Sequence, residues 1–367
     1  MHFLFVCCFS FVCSVSEKPY FLGIDFGTSA IKAVELTIKN DLPVLLNYGS
    51  IDMSVSENPG KMFRVPSPEK TVQDHLSALF SALHPVSKGV SIALPGFSGL
   101  ITLIEIPLMK SEELEKAIQF EAHKYIPSPL EEVAFSWEVV SGNAVESGGD
   151  DRKTMEVLLV AALRKEVAKY ERYVAKTNLP VDLLELEIFS LVRAVAKEKP
   201  GTLLIADIGS RATNLVLVQN GDIRLNRSLN AGGHEVTATL AESYNVSWER
   251  AEELKRGTKD FLNHAESSLS FSSLDLIVTE MNRIFEMHTT RDPKNPVQEI
   301  LLSGGSSQME GLVSNLSNRF HVPVSVSNPW RSLQYDGALQ SSLERLGPTF
   351  TIAIGLALGG LEQYRKR

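Results

Sequence analysis

Two short stretches of this chain carry residue types that handle phosphate, and they stand half a chain apart. The first is Leu22-Gly23-Ile24-Asp25-Phe26-Gly27-Thr28-Ser29-Ala30-Ile31-Lys32. The second is Leu204-Ile205-Ala206-Asp207-Ile208-Gly209-Ser210-Arg211-Ala212-Thr213-Asn214. They align without a gap at an offset of 182 residues (207 − 25), pairing Asp25 with Asp207, Gly27 with Gly209 and Thr28 with Ser210. Glycine lets a backbone come close to phosphate, and successive turn N–H groups with a Ser or Thr hydroxyl can cradle its oxygens. A carboxylate cannot touch phosphate without repulsion. Asp25 and Asp207 are therefore expected to hold hydrated Mg2+, which keeps several of its waters. Lys32 is available to neutralise phosphate charge. One Asp-x-Gly-Thr turn is a weak signal, because turns use Asp and Gly for structural reasons alone. Two in register carry more weight; a duplicated hairpin without a ligand is the alternative.

The elements that must position these residues follow from period and punctuation. An apolar run ending in Asp25, a small-residue turn and an alternating stretch over Ile31–Leu36 predict a hairpin. The second half repeats this from Thr202 and returns at Asn220-Gly221 through Ile223–Ser228. Between them, Val44–Met53, Val90–Leu94, Leu100–Ile106, Val133–Val140 and Met155–Leu163 read as strands. Thr71–Leu83 and Arg164–Thr177 have helical spacing, and Val181–Val195 reads as a strand or turn leading into a helix. Ser111 is expected to cap a helix that carries Leu114, Ile118, Ala122 and Tyr125 on one face and stops before Pro127. Later, Gly232-Gly233 opens a helix, Trp248–Arg256, Leu274–Met287 and Met309–Phe320 are helical, and Val322–Val326 is a strand. Glu299–Ser303 is a strand closing on the turn Gly304-Gly305-Ser306. Ser54–Lys70, Ser141–Lys153 and Asn263–Ser273 read as loops.

The chain has 367 residues, 44% hydrophobic and 22% charged, which suits a globular protein of about two domains. A net charge of −8 and a pI near 5.6 argue against a general nucleic-acid binder. No apolar run reaches the ~18 residues of a membrane-spanning helix. Thr349–Leu361, with Gly355 and Gly359 at small-xxx-small spacing, is expected to pack inside the first domain instead. Cys7, Cys8 and Cys13 all precede the folded body, which excludes a disulfide framework for it. The apolar segment Phe3–Val15 around them lacks a preceding cation and a clear cleavage site. A poor signal sequence, a membrane-touching tail and an upstream mis-start of translation compete as explanations; the mis-start is favoured, since a nucleotide binder needs the cytoplasm. The eight histidines show no i, i+3 or i, i+4 pairing, so no metal–histidine site is expected.

Paired phosphate hairpins, each followed by helices, resemble the α/β architecture of actin, the sugar kinases and the heat-shock chaperones. Arg164–Val195, with Glu187-Ile188-Phe189-Ser190, is similar to that superfamily's connecting segment, where an acid meets the metal-bound water. Ala251-Glu252-Glu253-Leu254-Lys255-Arg256 resembles its ribose-contacting helix, and Leu302-Ser303-Gly304-Gly305-Ser306 its adenosine turn. Within it the chain most resembles the PilM family, actin-like cytoplasmic proteins of type IV pilus assembly related to the cell-division protein FtsA. The stretches carrying that resemblance are Gly23–Leu36, Phe120-Glu121-Ala122-His123-Lys124-Tyr125-Ile126-Pro127 and Ala353-Ile354-Gly355-Leu356-Ala357-Leu358. It spans roughly Tyr20–Leu361.

The resemblance implies a two-domain actin-like fold with duplicated phosphate hairpins and a small subdomain inserted in the first domain. The expected boundaries are a tail over 1–19, the first domain over 20–98, and a partner-binding subdomain over 99–163. The first domain returns over 164–200; the second covers 201–345 with an insertion about 241–295, and 346–367 returns to the first. It implies ATP and Mg2+ as cofactors. Asp25, Gly27, Thr28, Ser29 and Lys32 would line one phosphate loop and Asp207, Gly209, Ser210 and Thr213 the other. Gly232 and Gly233 would stand with them, Glu252 and Lys255 would face the ribose, and Gly304, Gly305 and Ser306 the adenine side. Asp25 and Asp207 would hold the metal, and Glu187 would orient water in what is at most a slow ATPase. A solvated ion pair is the alternative for Glu252 and Lys255, which stand at i, i+3.

The implied partners are a PilN-like inner-membrane protein, through its N-terminal cytoplasmic peptide, and the pilus assembly platform, with no nucleic acid. The protein would be cytoplasmic and peripheral to the inner membrane. The peptide groove is expected to be shaped by Leu114, Ile118, Tyr125 and the strand Val90–Leu94. Competing readings are a small-molecule kinase, which needs an Asp base beside a sugar loop that is not found, and an actin-like cell-division anchor.

Overall fold

The structure, a computed structural model, describes residues 19–53, 68–109, 111–126, 128–141, 154–263 and 269–366. The three cysteines and their apolar segment, most of the loops expected at 54–70 and 141–153, the Ser111 cap and the Pro127 stop lie outside what is described.

In chain order the first half forms β1 (Tyr20–Phe26), β2 (Ala30–Lys39), β3 (Leu42–Asp52), α1 (Pro68–Leu83) and β4 (Val90–Leu94). It continues with β5 (Gly99–Pro107), α2 (Ser111–Ala122), β6 (Val133–Ser141), β7 (Thr154–Leu163), α3 (Arg164–Val174), β8 (Val181–Leu186) and α4 (Glu187–Val195). The second half forms β9 (Thr202–Ile208), β10 (Thr213–Gln219), β11 (Asp222–Leu229), α5 (Gly233–Tyr244), α6 (Trp248–Lys255) and α7 (Ser272–Arg291). It closes with β12 (Glu299–Ser303), α8 (Leu312–Phe320), β13 (Val324–Val326), α9 (Gln340–Leu346) and α10 (Thr351–Lys366).

The repeat seen in the sequence is a repeat of topology. One five-stranded sheet has the order β3-β2-β1-β4-β8 and the other β11-β10-β9-β12-β13. In each, the first three strands are antiparallel neighbours and the last two join in parallel. β9 is buried along its whole length and reads as a continuous apolar run down to Asp207, as a central strand covered on both faces must. Asn220 and Gly221 take φ of 53° and 87°, the left-handed pair that a two-residue hairpin turn requires.

β5, β7 and β6 form a separate three-stranded sheet with α2 against one face. This overturns the groove lining expected from the sequence. β4 is paired on both sides, by β1 and β8, and is fully buried in the first large sheet, so it cannot line an exposed edge of the small one. Leu114 and Ile118 pack inward with Ile104, Val157 and Leu159. Tyr125 is 43% exposed and Phe120 69%, so both present accessible apolar surface near α2.

α10 packs against β1 and α4, and its glycines explain how. A Cβ on Gly355 would stand 2.0 Å from the Ser190 carbonyl, and one on Gly23 would stand 2.2 Å from the Ala353 carbonyl. Backbones touch there, so Thr351–Leu361 is a core helix of the first half, as its length implied. Among the described residues no helix is long and apolar enough to cross a membrane.

Candidate functional site

Parallel strands leave their carboxyl ends on one side of a sheet, and in open α/β sheets that side carries the ligand. Here β1 ends at Asp25-Phe26, β9 at Asp207-Ile208, β12 at Ser303, and β8 runs directly into Glu187 at the start of α4. Asp25 and Asp207 are 5% and 7% exposed, deep for aspartates.

In the first hairpin Asp25 lies opposite Lys32 across the β1–β2 pair, and Lys32 Nζ donates to Asp25 Oδ2 at 3.3 Å. Thr28 and Ser29 are exposed at the turn, and the Ser29 carbonyl accepts from the Met53 N–H at 2.8 Å. In the second hairpin Asp207 lies opposite Asn214. The turns have equal backbone tightness. A Cβ on Gly27 would stand 2.9 Å from the Ala30 carbonyl and one on Gly209 2.8 Å from the Ala212 carbonyl.

The second turn is roofed by α5. Gly233 N–H donates to Gly209 O at 2.9 Å and His234 N–H to Ser210 O at 2.8 Å, so these helix-start donors brace the turn. Only glycine allows this approach: a Cβ on Gly232 would meet Ser210 O at 2.5 Å, and one on Gly233 would meet Ser306 Oγ at 2.0 Å. Thr213 is fully buried and donates its hydroxyl to Ala231 O at 2.7 Å, which ties β10 to the lead-in of α5.

Gly233 also brings α6 to the site. Lys255, 7% exposed, donates to Gly233 O at 3.1 Å and to Thr237 Oγ1 at 2.8 Å, and pairs with Glu252 at 2.7 Å. Burial pushes the Glu252 carboxyl up, but Lys255 and the hydrogen bonds from Lys255 and Thr237 outweigh it and hold the group below its usual range. These two residues are therefore a part-buried bridge and not a solvated pair. Gly304 follows β12 with φ of 82° and comes so near β9 that a Cβ would stand 2.4 Å from Ile208 O. The structure thus gathers Gly233, Lys255 and Ser306, and sets Gly304 against the end of β9. Gly305 is exposed.

Glu187 opens α4 at the end of β8. Its Oε1 accepts from Gly96 N–H at 2.8 Å and from Asn214 Nδ2 at 2.7 Å. Burial, then the charges of Asp207 and Asp25, push its carboxyl up from 4.5 to about 7 despite the Gly96 bond. A helix start favours a carboxylate by only about 0.3–1 kcal/mol, too little to reverse this. Burial and Asp25 likewise push Asp207 up to about 6, against Lys32 and the hydrogen bonds from Ser303 and Asn214. Two raised carboxyls beside a third acid make a site short of positive charge. Among the described residues no three His, Cys, Asp or Glu side chains converge as a protein-only metal cage. A cation suited to the site is one that completes its shell with water and phosphate, as Mg2+ does.

Sequence reasoning missed Gly96, Asn214, Ser228 and Ser303. Asn214 had a signal: it falls at the same 182-residue offset from Lys32 that relates the two aspartates.

Residues 23–361 match the family described as type IV pilus assembly protein PilM. A solved structure described as the PilM-PilN type IV pilus biogenesis complex superposes with a TM-score of 0.75 at 26% identity, covering 93% of this chain and 98% of that one. The ethanolamine utilization protein EutJ of Carboxydothermus hydrogenoformans superposes at 0.52 with 18% identity, over 93% of this chain and 89% of its own, which supports the fold. The cell division protein FtsA of Pseudomonas aeruginosa is 21% identical over 95% of this chain and 91% of its own length. The fold is actin-like, and the chain belongs to the PilM family of type IV pilus assembly proteins.

Proposed function

We propose that this protein is the cytoplasmic, actin-like, ATP-binding component of a type IV pilus assembly platform, held at the inner membrane by the N-terminal peptide of a PilN-like protein. The observation that carries the nucleotide part is the pair of equivalent hairpins, each ending its central strand in a buried aspartate before a glycine turn. Asp25 and Asp207 would hold Mg2+ through its waters, and the metal would supply the positive charge that phosphate and three acids lack. Gly27, Thr28, Ser29 and Lys32 would meet the phosphates from one side, Gly209 and Ser210 from the other. Glu252, Lys255 and the Gly304–Ser306 turn would take the nucleoside end. The likeness to a PilM-PilN complex supports the partner, and the peptide is assigned to the surface between the first large sheet and the small one, near Phe120 and Tyr125.

ATP with Mg2+ should raise the melting temperature, because a ligand that binds only the native state stabilises it by mass action. A synthetic PilN-like N-terminal peptide is then titrated with and without ATP, against the natural chain and Phe120→Asp. Binding that ATP changes by about 5–150-fold, a coupling of 1–3 kcal/mol, and that Phe120→Asp weakens, is the expected result. Absence of peptide binding at high micromolar concentration, with nucleotide demonstrably bound, would remove the partner from this reading.

A further inference from the structure

Glu187 is the first residue of a helix in the first half, yet part of what holds its carboxyl belongs to the second half. Asn214 on β10 donates Nδ2 to Glu187 Oε1 at 2.7 Å, and its amide also hydrogen-bonds the Asp207 carboxyl. Ser228 on β11 donates Oγ to Asn214 Oδ1 at 2.7 Å. The two carboxylates set which way the amide faces, since a flipped Asn214 would turn its oxygen toward them, and Ser228 then holds the outward Oδ1. The fourth member is Gly96, whose N–H completes the bonds to Oε1. A Cβ there would stand 2.5 Å from Asn214 Oδ1 and 2.6 Å from Ser228 Oγ, so the network fits only around glycine.

We infer that Asn214 and Ser228 are positioning residues for Glu187, commit its Oε1 to joining the two halves, and leave Oε2 as the oxygen that orients the hydrolytic water. This rests on the ATP-binding reading above and adds a regulation to it: Glu187 is aligned only while the halves hold this relation. In the step concerned, the water oxygen bonds to the γ-phosphorus and the bond from phosphorus to the β,γ-bridging oxygen breaks. The leaving oxygen keeps the bonding pair as part of ADP. Glu187 Oε2 takes the water proton and passes it to the phosphate released.

Single-turnover and steady-state ATP hydrolysis by the full chain test this, with ATP affinity measured separately by titration. Ser228→Ala is expected to lower kcat about tenfold and Asn214→Ala about a hundredfold, as loss of alignment does, with KM within twofold. Ser228→Thr, which keeps the hydroxyl, should restore kcat to within twofold. A structural defect alone would move KM and melting temperature together and would not be rescued by threonine. Failure of ATP to bind would overturn the function proposed above. Bound ATP with no turnover in the natural chain, or with equal turnover in Ser228→Ala and Asn214→Ala, would overturn this inference while leaving nucleotide binding standing.

Discussion

The two aspartate-glycine hairpins share a backbone and differ in what one strand position carries. Both turns are equally tight, and both place an aspartate opposite the residue seven positions later. In the first hairpin that residue is Lys32, which supplies a local countercharge at 3.3 Å. In the second it is Asn214, which brings no charge and links Asp207, Glu187 and Ser228. Bracing differs as well, with Met53, just past β3, holding the first turn through Ser29 and α5 covering the second. Duplication therefore sets where the carboxylates stand, and a single divergent side chain decides whether a half neutralises charge or positions a neighbour.

The largest effect is expected where the halves are alike. Asp25→Ala and Asp207→Ala should each weaken Mg2+-dependent ATP binding by about 10–100-fold, because in the proposed site both aspartates would orient the metal's waters. Calorimetric titration with and without EDTA measures it. A loss confined to one aspartate would show that only one half holds the metal. Affinity in the natural chain that EDTA leaves untouched would remove the metal role from both.

Exchanging the divergent residues should give a smaller, opposite pair of effects. Lys32→Asn removes a partly buried cation and is expected to weaken ATP about tenfold, and ADP less if the lysine acts on the terminal phosphate. Asn214→Lys places a cation beside Asp207 and Glu187. It should improve metal-free ATP binding by several-fold, on the order of 1 kcal/mol, while slowing turnover. Equal effects on ATP and ADP in Lys32→Asn would move that lysine away from the terminal phosphate.

Much of this arrangement was legible because the sequence repeats itself. The offset from Asp25 to Asp207 is borne by two sheets of the same strand order, and Asn220-Gly221 forms the turn its residue types demand. The groove lining was misread because Val90–Leu94 is apolar whether it lies at an edge or in the middle of a sheet. Only its pairing to both β1 and β8 shows the middle. Leu114 and Ile118 carry the same ambiguity, since a helical stripe reports a buried face without saying what covers it. Gly96, Ser228 and Ser303 were invisible for another reason. Each is a small residue in a common turn or strand setting, and its role comes from partners far along the chain: Glu187 is 91 positions from Gly96.

The smallest effect separates the halves by pH. Glu187 is pushed from 4.5 to about 7 and Asp207 from 3.8 to about 6, mainly by burial. Folded-state values above the unfolded ones mean that the native protein binds more protons between about pH 4 and pH 7. Stability is then fully present below the unfolded values and falls as pH rises toward the folded ones. Solvent screening reduces the effect, so a decline on the order of 1 kcal/mol, or about 2 °C in melting temperature, is expected without nucleotide. A lysine at position 214 would stabilise both carboxylates and flatten this slope, whereas Lys32→Asn would steepen it through Asp207. Thermal denaturation at half-unit steps from pH 4.5 to 7.5 makes the comparison. A slope that Asn214→Lys leaves unchanged would mean that the second half is not short of positive charge, and its difference from the first would then reduce to the hydrogen bonds of Asn214 alone.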